Sequence, residues 1–389
     1  MREVKWATAI PLVGGSAIGC WNATGVKPEY HLSYSAFEKN EKPLENYWPE
    51  VPRIVLDEGQ SAPDKKVDFI NSVCPCAGLS QLSTSKSKEV RDKSNKWMFE
   101  TADVVLGKIR PRVFWGENAP ALFTNMGSWV REALIEKAQE FGYSFSLYKT
   151  TTSKHGIPQK RTRTFYFFWD SEFCPIMNYY DRPRKSLPDY LSEISPLAPN
   201  QDEFVRKNSL TEESFAYQYV LQKLNISHED FVKSNDGGST HSFHTFVVEN
   251  NMIEDCIKWI EKNHGVCKES IRLKKIKIKI DDGKRFMDGS PAYHYDCSNA
   301  LVGRNLTGMI HPVKNRFLSV REVMHLMGMP EDFNFSLSNG NSLNFLAQNV
   351  PSCTSRDMTL EVLKYLRGEL EFSDKSYLKQ DNLKGRIIK

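Results

Sequence analysis

From its start to about residue 170 the chain alternates short apolar runs with helically periodic stretches, and this alternation constrains the fold more than any other feature. Ile54-Val55-Leu56, Asp68-Phe69-Ile70, Val113-Phe114-Trp115 and Thr164-Phe165-Tyr166-Phe167-Phe168-Trp169 have the length and character of strands. Between the last two, Trp129 to Ala138 carries helical spacing and leads through Phe141-Gly142 into another strand. Strands separated by helices predict an α/β fold built on a parallel sheet. From Asp170 to about Pro312 the alternation is lost, and Arg182-Pro183-Arg184, polar stretches and a basic run replace it. The expected division is therefore a first domain over 1–169, an inserted domain over 170–312, and a return segment with a C-terminal tail over 313–389.

A chain of 389 residues is long enough for two domains and a sizeable core, and 40% hydrophobic with 26% charged residues is ordinary globular composition. No apolar run of membrane-spanning length and no leader-like segment is present, so a soluble, cytoplasmic, unexported protein without membrane contact is expected. The eight cysteines show no repeated C-x-x-C pairing, and Cys74 and Cys76 stand too close for a zinc pair. Free thiols in a reducing cytosol, with no metal, are the simplest account. A net charge of +4 is too mild to establish nucleic-acid binding by itself.

The segment Asp68 to Ser80 reads as a strand running into a Pro75-Cys76 turn, with Gly78 permitting a conformation that other residues resist. A strand that carries a cysteine to a sheet edge presents a nucleophile, although a lone cysteine is as often a buried, inert one. Two further segments follow in order, each beside an apolar strand: Glu117-Asn118-Ala119-Pro120 and Gln159-Lys160-Arg161-Thr162-Arg163. Together the three resemble the Pro-Cys, Glu-Asn-Val and Gln-x-Arg-x-Arg motifs of the DNA (cytosine-5)-methyltransferase family.

The resemblance extends towards both ends. Pro11-Leu12-Val13-Gly14-Gly15-Ser16-Ala17-Ile18-Gly19 is similar to the family's glycine-rich donor loop. Glu38 follows at the spacing of an acid that grips ribose hydroxyls, and Asp57 sits where the family contacts the adenine side of the donor. Arg316 to Glu322 with Met327-Gly328-Met329-Pro330, and Ala347-Gln348-Asn349-Val350-Pro351, look like the family's last two motifs.

This resemblance implies an S-adenosylmethionine-dependent methyltransferase sheet of Rossmann type with a smaller target-recognition domain. Val13, Gly15, Gly19, Glu38, Asp57, Pro75, Met98, Gln348 and Val350 would line the donor site. Cys76 would attack carbon-6 of a flipped-out cytosine, Glu117 would serve N3, and Asn118 would orient its turn. Arg163 would polarise the base's O2 carbonyl, braced by Arg161. Burial against Phe114 and Trp115 would raise the Glu117 pKa. Ser80 and Gln159 would lie towards double-stranded DNA, the expected partner of a monomeric enzyme. Gln81 to Lys96 is polar and serine-rich, and is expected to be a mobile loop closing over the DNA. In Arg272 to Ile280 the alternation predicts a strand with Lys275, Lys277 and Lys279 on one phosphate-contacting face. His311-Pro312 reads as a turn rather than a metal ligand.

The chain departs from the family pattern at Ala77, Ala119, Ala347 and Gln348, none of which makes or breaks bonds. A transfer-RNA branch of the same fold carries a Cys-Phe-Thr that this chain lacks. A silenced DNA-binding module would have lost Cys76 or Glu117, and a free-nucleotide enzyme of the thymidylate synthase type would need neither the glycine loop nor the insertion.

Overall fold

The computed structural model describes residues 3–61, 64–74, 88–206, 208–236, 243–284, 294–302, 309–335 and 342–388. The chain divides into two compact units, Met1–Arg184 with Leu326–Lys389, and Lys185–His325.

The first unit is built on nine strands. They are β1 (Trp6–Ala9), β2 (His31–Ser33), β3 (Arg53–Val55), β4 (Phe69–Ser72), β5 (Val113–Asn118), β6 (Ser144–Thr151), β7 (Thr162–Trp169), β8 (Tyr377–Asp381) and β9 (Arg386–Ile388). Their order across the sheet is β9-β8-β6-β7-β5-β4-β1-β2-β3. β3, β2, β1, β4 and β5 run parallel, as do β6 and β8, whereas β7 is antiparallel to both its neighbours and β9 to β8. The α/β class expected from the alternation is the one observed. Strands β1, β4 and β5 are buried along their whole length, so Phe69-Ile70 and Val113-Phe114-Trp115 are consecutive apolar residues rather than alternating ones. The last segment returns to the sheet through β8 and β9, beyond β6.

Helices α1 (Gly15–Thr24), α2 (Glu38–Tyr47), α3 (Lys88–Val104) and α4 (Ser128–Phe141) connect these strands. The expected loop over Gln81 to Lys96 is corrected here: it is helical from Lys88 onward, and residues 81–87 lie outside the described residues. Asn95, Met98 and Ala102 give α3 a buried face at three- and four-residue spacing. The polar residues before them extend a helix that is anchored further along.

The second unit is helical through its middle: α5 (Phe215–Leu224), α6 (His228–Ser234), α7 (Phe243–Glu249), α8 (Ile253–His264) and α9 (Lys268–Asp281). Tyr217, Val220, Phe231, Val247, Ile260 and Leu273 lie in its core. Glu269, in the first turn of α9, accepts from Ser214 Oγ at 2.6 Å, Phe215 N at 2.7 Å and His244 Nε2 at 2.8 Å, so one carboxylate caps α5 and ties three elements together.

The predicted strand over Arg272 to Ile280 is likewise a correction, since the whole stretch lies within α9. Leu273, Ile276 and Ile280 face the core at helical spacing, while Ile278, an inward residue on the strand reading, is 60% exposed. In a helix Lys275 and Lys279 share a face and Lys277 does not. Lys277 Nζ instead lies 2.7 Å from Asp281 Oδ2 and 3.1 Å from Glu254 Oε1.

Candidate active site

The C-terminal ends of β1, β2, β3, β4 and β5 form one edge of the first unit's sheet, the edge at which open α/β sheets bind ligands. After β1 the chain turns sharply. Ile10 and Leu12 adopt left-handed φ values of 49° and 52°, and Gly14 reaches 106° before α1 begins. A β-branched residue in that region is strained, and such strain gathers at ligand sites.

Gly15 opens α1 against the last segment of the chain. A Cβ there would lie 2.2 Å from Val350 O, so only glycine fits. Its N–H donates to Asn349 Oδ1 at 2.8 Å, and Asn349 Nδ2 reaches Met329 Sδ at 3.2 Å. Gly19 lies one turn on, against the backbone of Ser352. Val13, Met98 and Val350 are buried and Gln348 is exposed. Asn349 was not singled out from sequence, although it sits between two residues that were.

At the tips of β2 and β3, Asp57 accepts from Ser35 N at 2.8 Å and Ser35 Oγ at 2.7 Å. Burial works against its charge, but the two Ser35 bonds outweigh that and hold the carboxyl below its usual range. Glu38 is exposed at the start of α2, three residues past Ser35. Glu41, one helical turn further, is buried and accepts from Ser33 Oγ at 2.6 Å and Arg53 Nε at 2.9 Å. A helix N-terminus approached by bare backbone, beside a carboxylate held ionised, is what a nucleoside donor with ribose hydroxyls requires.

Strand β4 ends beside β1, with Val73 N donating to Ala9 O at 3.3 Å. Cys74 follows, buried and 3.3 Å from Ser72 Oγ, and burial pushes its thiol up to about 11. It is an inert thiol. Pro75, Cys76 and Ser80 lie outside the described residues.

Glu117 and Asn118 end β5. Asn118 Oδ1 accepts from Ala119 N at 2.8 Å, fixing the turn that follows. Glu117 is 3% exposed, and its Oε1 lies 2.7 Å from Arg163 Nε on β7. Burial pushes the Glu117 carboxyl up, and Arg163 and Arg161 offset this only in part. Arg161 is 2% exposed and braced, its guanidinium donating to Ala347 O at 3.0 Å while its carbonyl accepts from Thr152 N at 3.1 Å. Gln159 is wholly buried, with Nε2 donating to Leu326 O at 2.8 Å, which places it under the arginine segment rather than on a surface.

A buried network that the sequence did not reveal holds the turn before Gln159. His155 bonds Thr150 Oγ1 at 2.7 Å through Nε2 and Asp357 Oδ2 at 2.9 Å through Nδ1, and Arg182 Nε meets the same carboxylate at 2.7 Å. In the second unit His311 Nδ1 accepts from Val313 N at 3.0 Å and Lys314 N at 2.9 Å, the geometry of a turn. No group of three or more His, Cys, Asp or Glu side chains among the described residues could hold a metal, and no described helix is long and apolar enough to cross a membrane.

Residues 33–352 match the family model of C-5 cytosine-specific DNA methylases. A type II methyltransferase of Haemophilus parahaemolyticus, M1.HphI, is 22% identical over 272 residues, covering 70% of this chain and 61% of that protein. The chain thus spans under two thirds of the length of the type II relatives it matches. Among solved structures, a protein described as a DNA modification methyltransferase encoded within an E. coli prophage superposes with a TM-score of 0.54 at 18% identity, over 94% of this chain and all of that one. The Entamoeba histolytica methyltransferase EhMeth gives a TM-score of 0.54 at 11% identity, over 94% of this chain and 99% of that one. At such identities these two establish the fold.

Proposed function

This chain belongs to the C-5 cytosine-specific DNA methylase family, and on that footing we propose that it methylates carbon-5 of cytosine in double-stranded DNA with S-adenosylmethionine as donor. The observation that carries this reading is the pairing of a buried Glu117 with Arg163 at the sheet edge where β4 also ends.

Carbon-5 of cytosine is a poor nucleophile until the ring is opened to electron flow. Cys76 supplies that by adding its thiolate to carbon-6, which places the electron pair on carbon-5. Glu117, with its carboxyl raised by burial, donates to N3 as the pair moves. Arg163 orients Glu117 and faces the base's O2, and Arg161 holds the segment rigid from Ala347. The donor provides an electrophilic methyl group. Gly15, Asp57 and Ser35 position it from the strand tips. A water molecule acting as base then takes the carbon-5 proton, the C5–H electron pair re-forms the C5–C6 double bond as the C6–S bond breaks and the Cys76 thiolate leaves, and N3 returns its proton to Glu117. A base inside the duplex cannot reach this edge, so the reaction needs a flipped nucleotide. The exposed lysines of α9, Lys275 and Lys279, are offered for phosphate contact in the second unit. Monomeric action in the cytosol, where Cys76 stays reduced, completes the proposal.

Expression in an unmethylated bacterial host, followed by base-resolution mapping of 5-methylcytosine, tests it. Methylation at a defined sequence is the expected result. A genome left free of 5-methylcytosine by well-expressed, folded protein would overturn the proposal.

A further inference from the structure

On the face of the sheet opposite Glu117, two cations lie over one aromatic ring and a third is fixed beside it. Lys149 Nζ lies 4.9 Å and Lys379 Nζ 4.7 Å from the centre of Phe123. Arg131 on α4 is fixed beside them, donating to Leu122 O at 3.1 Å and Thr124 O at 2.9 Å. Lys149 has a carboxylate, Asp381 Oδ2 at 2.6 Å. Among the described residues Lys379 and Arg131 have none; carbonyls and a ring face hold them without cancelling their charge. The crowding registers in Lys379, whose ammonium is held below its ordinary range by burial and by the nearby Arg131 and Lys149. Tyr377, two residues from Lys379 on the same face of β8, keeps a buried hydroxyl with no partner among the described residues.

Folding alone gives no reason to gather uncompensated like charges, because they repel and gain only a modest cation–π return from Phe123. An anion arriving from outside supplies the missing charge. The position identifies which anion. Asn118, Thr164, Lys149 and Asp381 are register partners in one row across β5, β7, β6 and β8. Lys149 therefore stands two strand spacings, roughly 10 Å, to the side of Asn118, at the same end of the sheet. A duplex engaged at that end carries one charge per about 1.7 Å of its axis, so phosphates pass within reach of the row.

We propose that Lys379 and Lys149 over Phe123, with Arg131 beside them, form a backbone-phosphate site for the DNA strand flanking the target base. This inference rests on the DNA reading above. The site anchors the duplex without reading sequence, as phosphate contacts do.

The test is equilibrium binding of the full chain, with S-adenosylhomocysteine present, to a fluorescent duplex between about 50 and 200 mM salt. Wild type, Lys379→Gln and Lys379→Arg are compared. Lys379→Gln should lower the slope of log K against log salt by roughly 0.9, and Lys379→Arg should keep the wild-type slope. An unchanged slope in Lys379→Gln overturns the site, as does an equal fall in both variants, which would mark Lys379 as structural. A wild-type chain that does not bind duplex DNA removes the DNA reading itself, and the site with it.

Discussion

Asn349 Oδ1 accepts the Gly15 N–H at 2.8 Å across 334 residues of chain, joining the helix after β1 to the segment that ends the methylase match. Removing that acceptor leaves a buried donor unpaired, at a cost of about 1–3 kcal/mol. Asn349→Ala should therefore weaken donor binding by roughly tenfold, read by calorimetric titration, while turnover at saturating donor changes little. An unchanged donor affinity would confine Asn349 to a packing role. Gly15→Ala should be far worse, because its methyl would meet the Val350 carbonyl.

Glu117→Gln keeps the volume of the buried side chain and removes its acidic proton. Turnover should fall by about 10²–10⁴, with duplex binding nearly intact. Burial holds the Glu117 carboxyl above its ordinary range, so in wild type the chemical step should slow as rising pH removes its proton. Rapid single-turnover methylation by Glu117→Gln would reduce Glu117 to a structural partner of Arg163.

The lysines of α9 separate into two kinds. Lys277 is engaged by Asp281 and Glu254, whereas Lys275 and Lys279 are exposed one turn apart with no carboxylate partner among the described residues. Lys275→Gln with Lys279→Gln should reduce the salt slope of duplex binding by roughly 1.8, and Lys277→Gln by much less. Equal effects at all three positions would contradict the helical division of the face.

This helix shows where sequence reading reaches its limit. The strict alternation of Lys and Ile over 275–280 imitates a strand, and only the three- and four-residue spacing of Leu273, Ile276 and Ile280 shows the helix beneath it. By contrast β4, β5 and β7 were legible because burial on both faces leaves continuous apolar runs. Glu117, Arg161 and Arg163 were legible as local motifs on those strands. The pairings of Asn349 with Gly15 and of His155 with Asp357 were not, because no local pattern shows which distant residues meet and each pair closes only in the folded chain. Ser35 escaped notice for a related reason, since its role depends on Asp57 crossing from the next strand.

His31 gives a stability prediction with a definite sign. It is buried against Trp48, neither ring nitrogen has a partner among the described residues, and burial, aided by Arg53, lowers its pKa from 6.5 to about 4. The unfolded chain therefore takes up this proton first as pH falls. The stability in question is whole above 6.5 and is lost progressively between 6.5 and about 4. His31→Leu should flatten the denaturation midpoint across that window. A pH profile identical to wild type would show that other groups govern it.

Mechanism-based trapping decides whether Cys76 is the covalent nucleophile. The full chain, S-adenosylmethionine and duplex carrying 5-fluorocytosine at the mapped target are combined, and the adduct is measured by denaturing electrophoresis and mass spectrometry. Fluorine cannot leave as a proton does, so wild type should accumulate a stable protein–DNA adduct containing the transferred methyl group, linked through Cys76. Cys76→Ser should form none. An adduct that persists undiminished in Cys76→Ser, or one that maps to another residue, would contradict the account.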